Sequence, residues 1–453
     1  MENKATKRLV VLGGGISGYG SAILAKKMGY DVFLSDKGSI PERYKERLLE
    51  WEVPFEEGTH SEERILTADE AVKSPGIPDK APIVKALRER GVPIVSEIEF
   101  AGRYTSARTI CITGSNGKTT TTTLTYKILK EAGYNVALGG NIGESFAYSV
   151  ATGSFDWYVL ELSSFQLDGM IDFRADVGVL MNITPDHLDR YNYVFQNYIN
   201  SKMRIIRNQR PNDAFIYSAD DAVIATELPK YELSMQRLPF SARHEQEEGA
   251  WLAQDGTIRV KTADTFFSID TNRMQIRGIH NAYDTMAATL TAVAAGVPAE
   301  SIVRSVLAFT GVEHRLEPAG AIDGVTYIND SKATNVDSVW YALESMTRPV
   351  VWIAGGTDKG NDYEPLKAFA KQKVKALVCM GLNNQKLVQE FKGIIPQIFS
   401  TNSLEDAMQA ARKVATAGDT VLLSPACASF DLFKNYEQRG ELFKEWVRLH
   451  GGH

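Results

Sequence analysis

The chain has little cysteine and no excess of positive charge. Its 453 residues include only three cysteines, Cys111, Cys379 and Cys427, which are far apart and lack the spacing of a metal site. This scarcity predicts a reduced, cytoplasmic protein in which the cysteines are small core residues. The net charge is −6, with 50 basic and 56 acidic side chains. That balance argues against a nucleic-acid binder that depends on overall positive charge.

Long apolar runs are also missing. The N-terminal stretch MENKATKRLVVLGGG has an apolar run that is short and ends in glycines, unlike the core of a signal peptide. No segment is long enough to span a bilayer, so we expect no membrane association. The length alone predicts about three domains. Nothing in the sequence demands more than a monomer.

Short, nearly continuous runs of Val and Ile recur along the chain, and helical patterns separate most of them. Such runs are typical of strands buried on both faces of a parallel sheet, and the alternation predicts an α/β fold. The predicted strands are 9–13, 32–36, 109–114, 157–162, 177–183, 326–330, 350–356, 376–381 and 420–425.

The strand pattern is interrupted around 96–108 and again around 308–320. These breaks predict a Rossmann-like domain at 1–105, a P-loop ATPase domain at 106–310 and a second Rossmann-like domain at 311–453. The less regular stretch 210–275 is expected to form antiparallel strands attached to the middle domain.

The first glycine-rich turn, VVLGGGISGYGSA, follows a strand and precedes a helix. Gly13, Gly15 and Gly18 match G-x-G-x-x-G, and Asp36 ends the next strand. Glycines at this spacing let the backbone approach a diphosphate closely at a helix N-terminus. The motif by itself favours NAD or FAD, but another diphosphate or a merely tight turn also fits it.

The second glycine-rich turn, CITGSNGKTTTTTL, has only the second half of a P-loop, because Ile112 stands where the first glycine would be. The N–H groups of Ser115 to Lys118 are expected to cradle phosphate oxygens. Lys118 would reach the β- and γ-phosphates, and the Thr119 hydroxyl would hold Mg²⁺. Residues 121–123 are expected on the helix surface. The alternative is a glycine turn with an exposed lysine.

Two polar groups are expected near this loop, and a third residue, Lys202, is noted further along the chain. Glu161 ends the run WYVLEL and should emerge at the carboxyl edge of the sheet, where a P-loop needs a carboxylate on the metal side. His187 follows the next strand and should lie at the same edge as a metal or substrate contact. Lys202 lies in a predicted helix. Each has a plainer alternative: a solvated glutamate, a structural histidine and an exposed lysine.

At this point the motifs identify a family. GSNGKTT, LELSSFQL, NITPDHLDRY and the helix with Lys202, followed by GIHNAYDTMAA, GVEHRLE and NDSKATN, resemble the Mur ligases, which build the peptide of bacterial peptidoglycan. The segments AGGTDKGNDY (354–363) and LLSPACASFDLFKNYEQRG (422–440) are similar to the branch of that family that adds D-glutamate.

The resemblance implies a reaction. The first domain would bind the UDP of UDP-N-acetylmuramoyl-L-alanine, so its glycine loop would hold UDP rather than NAD. The middle domain would bind ATP, and the third domain D-glutamate. ATP would phosphorylate the alanyl carboxylate, and the amine of D-glutamate would attack the acyl phosphate. Catalysis would consist mostly of positioning and charge neutralisation.

The resemblance also implies the binding residues. Those for the sugar nucleotide are Ser17, Asp36, Ser74 and Asn141, with Asp36 at the uracil end. Those for ATP are Gly114, Ser115, Asn116, Gly117, Lys118, Thr119, Thr120, Thr121, Asn281, Arg315, Asp330 and Lys332. Those for D-glutamate are Thr334, Lys359, Ser429, Phe430 and Tyr436.

Two Mg²⁺ sites follow from the same resemblance. Thr119 and Glu161 would serve the first, and His187 and Lys202 the second, with Lys202 as a carbamate. Lys118, Glu161, His187 and Lys202 would be the catalytic residues. Asn281 could instead be a helix N-cap. The family commonly has a second asparagine where this chain has Asp284, which leaves the role of Asp284 open.

Other functions remain to be compared with this one. The first glycine loop alone would fit a nicotinamide oxidoreductase, and the second alone a P-loop ATPase that acts as a mechanical or binding module. Within the family, the nearest rivals are ligases for L-lysine, diaminopimelate or folyl substrates. The stretch SPACASFDLFKNYEQRG is the feature that discriminates between them.

Overall fold

The computed structural model describes residues 6–358 and 360–451. The chain divides into two compact units. The first comprises Met1–Met274 and Asn281–Phe309, and the second comprises Gln275–His280 and Thr310–His453. The boundaries between residues 105 and 106 and between residues 310 and 311 stay predictions.

The first unit begins with a sheet of five parallel strands. The strands are β1 Arg8–Leu12, β2 Asp31–Asp36, β3 Phe55–Glu57, β4 Glu70–Lys73 and β5 Ile94–Val95. The helices are α1 Ile16–Lys27, α2 Glu42–Glu50, α3 Glu62–Ile65, α4 Pro82–Glu89 and α5 Glu97–Gly102. The spatial order β3-β2-β1-β4-β5 is that of a Rossmann-like sheet, whose ligands bind at the carboxyl ends of the strands.

A nine-stranded sheet completes this unit. Its strands are β6 Arg108–Thr113, β7 Val136–Gly140, β8 Trp157–Glu161, β9 Val177–Leu180, β10 Ala214–Ser218, β11 Gln236–Ser241, β12 Gly249–Leu252, β13 Thr257–Lys261 and β14 Phe266–Asp270. Its helices are α6 Lys118–Glu131, α7 Phe146–Thr152, α8 Ser164–Asp168, α9 Phe195–Met203, α10 Ala222–Glu227, α11 Ile279–Ala294 and α12 Ala299–Leu307. The spatial order is β14-β13-β12-β11-β10-β9-β6-β8-β7.

The prediction for 210–275 was right in part. Strands β12, β13 and β14 pair antiparallel, as expected. Strands β10 and β11 are parallel to each other, and each is parallel to its other neighbour, so the prediction was wrong there. The helix α10 lies between β10 and β11 in the chain, and such a crossover returns the chain in a parallel direction.

One edge of this sheet is formed by β14, which is the last strand in the order. The exposure of its side chains alternates between the two faces. Ile269 is buried, whereas the Phe266 side chain at the start of the strand is 69% exposed.

The second unit contains a six-stranded sheet. Its strands are β15 Glu317–Ile322, β16 Val325–Asn329, β17 Val350–Ala354, β18 Val374–Met380, β19 Gln397–Thr401 and β20 Thr420–Leu423. Its helices are α13 Val336–Ser345, α14 Lys367–Lys373, α15 Gln385–Phe391, α16 Leu404–Val414 and α17 Tyr436–His450. The order is β15-β16-β20-β17-β18-β19, parallel except for the β15–β16 hairpin.

The central strands explain why the predicted runs were so apolar. Every residue of β8, β9, β17 and β20 is buried, because helices cover both faces of these sheets. All nine predicted strands are present, and the predicted α/β class is confirmed. Across 6–358 and 360–451, no helix combines the length and the apolar character that crossing a membrane requires.

Candidate functional site

The first glycine loop forms a tight corner at the carboxyl ends of β1, β2 and β4. Gly13 has φ of +94°, and a Cβ on Gly18 would lie 1.7 Å from the Gly13 carbonyl oxygen. Only glycine therefore lets α1 approach the strand this closely. The N–H of Gly14 donates to Asp36 Oδ2 at 2.6 Å, and Ser74 Oγ lies 3.5 Å from the Gly13 carbonyl oxygen.

Three of the four residues predicted for the sugar nucleotide meet at this corner. Ser17 is buried in the first turn of α1, and Asp36 and Ser74 flank the loop. Asn141 lies elsewhere, after β7 in the nine-stranded sheet. Its backbone N–H donates to the Glu161 carbonyl oxygen at 2.8 Å, and its side-chain amide donates to Glu161 Oε1, also at 2.8 Å.

The second glycine loop joins β6 to α6 and is pinned to the segment after β9. The Ser115 N–H donates to the Asn182 carbonyl at 3.0 Å, and the Asn116 N–H donates to Asn182 Oδ1 at 2.8 Å. The Ser115 hydroxyl donates to the Thr184 carbonyl at 2.8 Å. Two of the four N–H groups predicted to cradle phosphate are therefore already engaged by Asn182, a residue that the sequence did not single out.

Both predicted lysines converge on this loop. Lys118 Nζ donates to the carbonyl oxygens of Gly114 and Ser115 at 2.8 and 2.7 Å. Lys202 Nζ donates to the Gly114 carbonyl at 2.8 Å and to Thr113 Oγ1 at 3.0 Å. Lys202 is 2% exposed, so the alternative of an ordinary surface lysine is wrong.

Burial lowers the pKa of Lys202 well below its ordinary value of 10.5, and the neighbouring Lys118 charge adds to this effect. The carboxylates of Asp186 and Glu161 act in the opposite direction but are weaker. The neutral amine, which is the nucleophilic form of a lysine, therefore forms more readily at this position than at an exposed lysine.

The carboxylate of Glu161 lies at the end of β8 and is 1% exposed, so a solvated glutamate is excluded. Its Oε2 atom is buried and has no hydrogen-bond partner among the described residues. A buried anionic oxygen without a partner is costly, and a carboxylate oxygen is a preferred ligand of Mg²⁺. The residues present therefore fit a divalent cation, with Thr119 buried at the start of α6 as a second oxygen.

His187 begins the turn after β9 with φ of +51°. Its N–H donates to Asp186 Oδ1 at 2.8 Å, and its ring packs edge-on against Phe165 with centroids 5.2 Å apart. Phe165 lies in α8, which begins three residues after Glu161. The side chain of His187 is 40% exposed.

Helix α11 places Asp284 against the second glycine loop. Asp284 is 4% exposed, and its Oδ1 accepts from Thr121 Oγ1 at 3.4 Å. A Cβ on Gly117, whose φ is +83°, would lie 2.3 Å from the same oxygen.

Thr121 and Thr122 are fully buried, so their predicted surface position was wrong. Asn281 is the third residue of α11 and not its N-cap.

In the second unit, Asp330 is 2% exposed and accepts from the Ser424 hydroxyl at 2.7 Å and the Leu316 N–H at 3.2 Å. Burial raises its pKa to about 6, although the Arg315 charge opposes the rise. Lys332 Nζ lies 5.3 Å from the ring centre of Tyr436. The residues predicted for ATP and for D-glutamate that lie in or beside the loop after β16 thus include Arg315, Asp330, Lys332 and Tyr436.

The remaining residues predicted for D-glutamate are on loops that the backbone ties together. Thr357 and Ala428 exchange N–H···O bonds of 2.8 and 3.2 Å, and the Ala426 N–H donates to the Ala333 carbonyl at 2.9 Å. The loops after β16, β17 and β20 therefore meet. The predicted residues on them are Thr334, Ser429, which is buried, and Phe430, which is 71% exposed. Lys359 lies outside the described residues.

Sequence reasoning missed Arg439, which holds two of these loops. It is fully buried, and its guanidinium donates to Ser331 Oγ at 3.0 Å, to the Ser331 carbonyl at 2.9 Å and to the Cys427 carbonyl at 3.4 Å. Burial lowers its pKa to about 10. No local pattern marks this arginine, because its partners are distant in sequence.

Three family descriptions match successive parts of the chain. "Mur ligase MurD-like, N-terminal domain" matches residues 7–96, "Mur ligase middle domain" matches 112–292, and "Mur ligase, glutamate ligase domain" matches 314–427.

Relatives match over nearly the whole length. The UDP-N-acetylmuramoylalanine--D-glutamate ligase of Bacteroides fragilis is 54% identical over 98% of this chain and 99% of its own. The proteins of the same name from Christiangramia forsetii and Cytophaga hutchinsonii are 51% and 48% identical, each over 98% of this chain and 99% of its own. The chain belongs to the Mur ligase family.

Solved structures show the same fold at low identity. The UDP-N-acetylmuramate-alanine ligase of Thermotoga maritima has a TM-score of 0.63 at 18% identity, over 98% of this chain and 99% of its own. A MurF ligase from the same organism, in complex with ADP, has a TM-score of 0.59 at 16% identity, over the full length of both chains.

Proposed function

We propose that this chain is an ATP-dependent ligase that joins D-glutamate to UDP-N-acetylmuramoyl-L-alanine in peptidoglycan precursor synthesis. The observation that carries the proposal is the 54% identity to the Bacteroides fragilis ligase of that name, over almost the whole of both chains. The chemistry available at the site agrees with it.

The reaction activates a carboxylate that would otherwise be a poor acyl donor. An oxygen of the alanyl carboxylate attacks the γ-phosphorus of ATP, and ADP leaves. The amine of D-glutamate, after losing a proton, attacks the carbonyl carbon of the acyl phosphate. The tetrahedral intermediate expels inorganic phosphate and leaves an amide. The protein must hold three substrates in line and balance the phosphate charge.

We assign the sugar nucleotide to the corner of Ser17, Asp36 and Ser74. Backbone at the glycine loop can approach a diphosphate, and the N-terminus of α1 favours its negative charge. Asn141 reaches Glu161 rather than this corner, which suits a residue that serves both the alanyl end of the substrate and the metal carboxylate. The NAD alternative has no support from the family to which the chain belongs.

We assign the nucleoside triphosphate to the second glycine loop, residues 114–121, with Asn281 of the same unit. From the family resemblance we also propose Arg315, Asp330 and Lys332 as ATP-binding residues. Lys118 would move from the carbonyls of its own loop onto phosphate oxygens. Thr119 and Glu161 would hold one Mg²⁺, and His187 and Lys202 a second. When bound, these ions neutralise phosphate charge and orient the reacting oxygens.

The state of Lys202 determines whether it can serve a metal. An ammonium group repels a cation, but a neutral amine can add CO2 and become an anionic carbamate with two oxygen ligands. The depressed pKa of Lys202 supports this assignment, since only the unprotonated amine reacts.

We place D-glutamate at the loops that carry Thr334, Ser429 and Phe430, with Tyr436 at the start of α17, and we add Lys359 from the family resemblance. A dianionic amino acid needs a cation and several donors there. We further propose that the enzyme acts as a cytoplasmic monomer. Its three cysteines are free and buried, which suits a reducing compartment.

The test is phosphate release from ATP and Mg²⁺ in the presence of UDP-N-acetylmuramoyl-L-alanine, with one amino acid added at a time. Release that depends on D-glutamate is the expected result. Release with L-lysine or diaminopimelate instead would keep the family and overturn the amino-acid assignment. Release without any amino acid would indicate a P-loop ATPase.

A further inference from the structure

A cavity of about 110 Å³ lies in the first unit between elements of its two sheets, and it contains three basic side chains. Lys73 and Arg88 both pair with Asp79, at 3.5 and 3.1 Å. Arg190 also lines the cavity, and its guanidinium donates to backbone carbonyls, as Lys73 Nζ does to the Ile77 carbonyl at 2.8 Å. Those carbonyls belong to a loop that carries one of the predicted binding residues.

On one side, Arg190 contacts the loop 74–77, which follows β4. Its Nη2 donates to the Pro75 carbonyl at 3.2 Å, and its Nη1 lies 3.5 Å from the Gly76 carbonyl oxygen. The same loop begins at Ser74, whose N–H donates to the Leu12 carbonyl at 2.9 Å beside the first glycine turn. Arg190 therefore fixes the backbone of the loop 74–77, which forms one side of the site assigned to the sugar nucleotide.

On the other side, the Arg190 guanidinium lies 4.4 Å from the ring centre of Phe165, a cation–π distance. The rings of His187 and Tyr191 pack on the same phenylalanine, with centroids 5.2 and 5.9 Å away. Phe165 is thus a platform on which the whole turn 187–191 rests. The planar guanidinium can stack on a ring and donate at its edge at the same time, which an ammonium group cannot do.

We infer that Arg190 is a positioning residue that couples the sugar-nucleotide loop 74–77 to the turn carrying His187. This inference rests on the proposed function. A sugar nucleotide that orders the loop would, through Arg190 and Phe165, fix the ring of His187. The binding of one substrate would thereby complete the metal side of the reaction centre.

The first test compares three variants in the ligation assay. Arg190→Met keeps the apolar bulk but removes both donors and the charge, and Arg190→Lys restores only the charge. Arg88→Met is the matched control, because Arg88 lines the same cavity and, within 6–358 and 360–451, forms its ion pair with Asp79 alone.

For Arg190→Met we expect kcat over KM for UDP-N-acetylmuramoyl-L-alanine to fall by about 10- to 100-fold, as for a small misplacement of reacting groups. The KM for ATP should change less than about twofold, because the second glycine loop is held by Asn182 instead. Arg190→Lys should recover only part of the loss, and Arg88→Met should resemble the wild type.

The second test does not depend on activity. Hydrogen–deuterium exchange is measured on the wild-type protein and the three variants, with and without UDP-N-acetylmuramoyl-L-alanine. In the wild type, the nucleotide should protect amides of both 74–77 and 186–191. In Arg190→Met, protection of 74–77 should persist while that of 186–191 is lost.

The inference would be overturned if the nucleotide protected the amides of 186–191 in Arg190→Met as strongly as it does in the wild type. An equal loss of activity toward every substrate would also overturn it, because such a loss indicates a general structural defect. A wild-type protein that protects both loops but does not use D-glutamate would refute the proposed function and leave the coupling intact. The two failures are therefore distinguishable.

Discussion

Lys118 and Lys202 donate hydrogen bonds to one and the same oxygen, the carbonyl of Gly114, each at 2.8 Å. Two ammonium groups around one acceptor repel each other, and the buried member of the pair loses its proton more readily. The arrangement therefore makes Lys202 the member of the pair that loses its proton more readily than an exposed lysine does.

Lys202→Met should abolish most of the ligase activity, with a loss on the order of 10²–10³ in kcat, because it removes an electrostatic group at the reaction centre. Native protein equilibrated with ¹³C-bicarbonate should show a carbamate resonance in its ¹³C spectrum. The variant should lack that resonance, while Lys130→Met, which changes an exposed lysine of α6, should keep it. A resonance that survives in Lys202→Met would assign the carbamate to another amine.

Asn141→Ala should raise the Mg²⁺ concentration needed for half-maximal activity by about tenfold, since a residue that orients a metal ligand typically contributes that much. The reason is the 2.8 Å bond from its amide to Glu161 Oε1. Asn135→Ala is the control, because Asn135 precedes the same strand and its side-chain amide donates to the Ser154 carbonyl at 2.9 Å, away from Glu161. Unchanged Mg²⁺ dependence in Asn141→Ala would exclude an orienting role.

The stability of the protein should depend on pH through Asp330. Its pKa is raised from 3.8 to about 6 by burial, so the folded state retains the proton over a range in which the unfolded state has lost it. Stability therefore falls as the pH rises between these values and is constant above them. The difference corresponds to roughly 3 kcal/mol.

This dependence is measured by urea unfolding of wild type and Asp330→Asn between pH 4 and pH 7. The wild type should lose roughly 2.4 kcal/mol relative to the variant over that interval, because part of the full difference is already lost at pH 4. Asp323→Asn, which changes a side chain that is 78% exposed, should run parallel to the wild type. A constant difference between wild type and Asp330→Asn would mean that Asp330 does not titrate in this range.

The glycines of the first loop should not be equivalent. Gly18→Ala would place a Cβ 1.7 Å from the Gly13 carbonyl, a backbone clash that must move α1. We expect a lower melting temperature and loss of UDP binding. Gly15→Ala meets nothing within 4 Å and should melt as the wild type does, while weakening UDP binding by filling the space for the diphosphate. Equal melting temperatures for the two variants would contradict this account.

Much of the fold could be predicted because its causes are local. Strands buried on both faces need apolar runs, and glycine turns between strand and helix need particular residues, so both leave a mark in consecutive positions. The sheet-edge position of Glu161 followed from such a run. The parallel pairing of β10 and β11 was missed because the short helix α10 between them carries little periodic signal.

The parts of the site that were missed have causes distant in sequence. Asn182 pins the second glycine loop across 66 positions, and Arg190 meets Pro75 across 115. Neither residue differs locally from a surface polar group, and their contacts exist only after two segments have come together. Lys202 was found through the family resemblance, since nothing in its own helix distinguishes a buried lysine from an exposed one.

The edge strand β14 has a consequence for the behaviour of the protein at high concentration. An edge strand offers unpaired N–H and C=O groups to another chain, and an exposed Phe266 adds an apolar contact beside them. Asp264 lies two residues before the strand and Asp270 is its last residue, so a second copy that approaches this edge would meet like charges. Their negative charges would then oppose the pairing of this edge with a second copy of the chain.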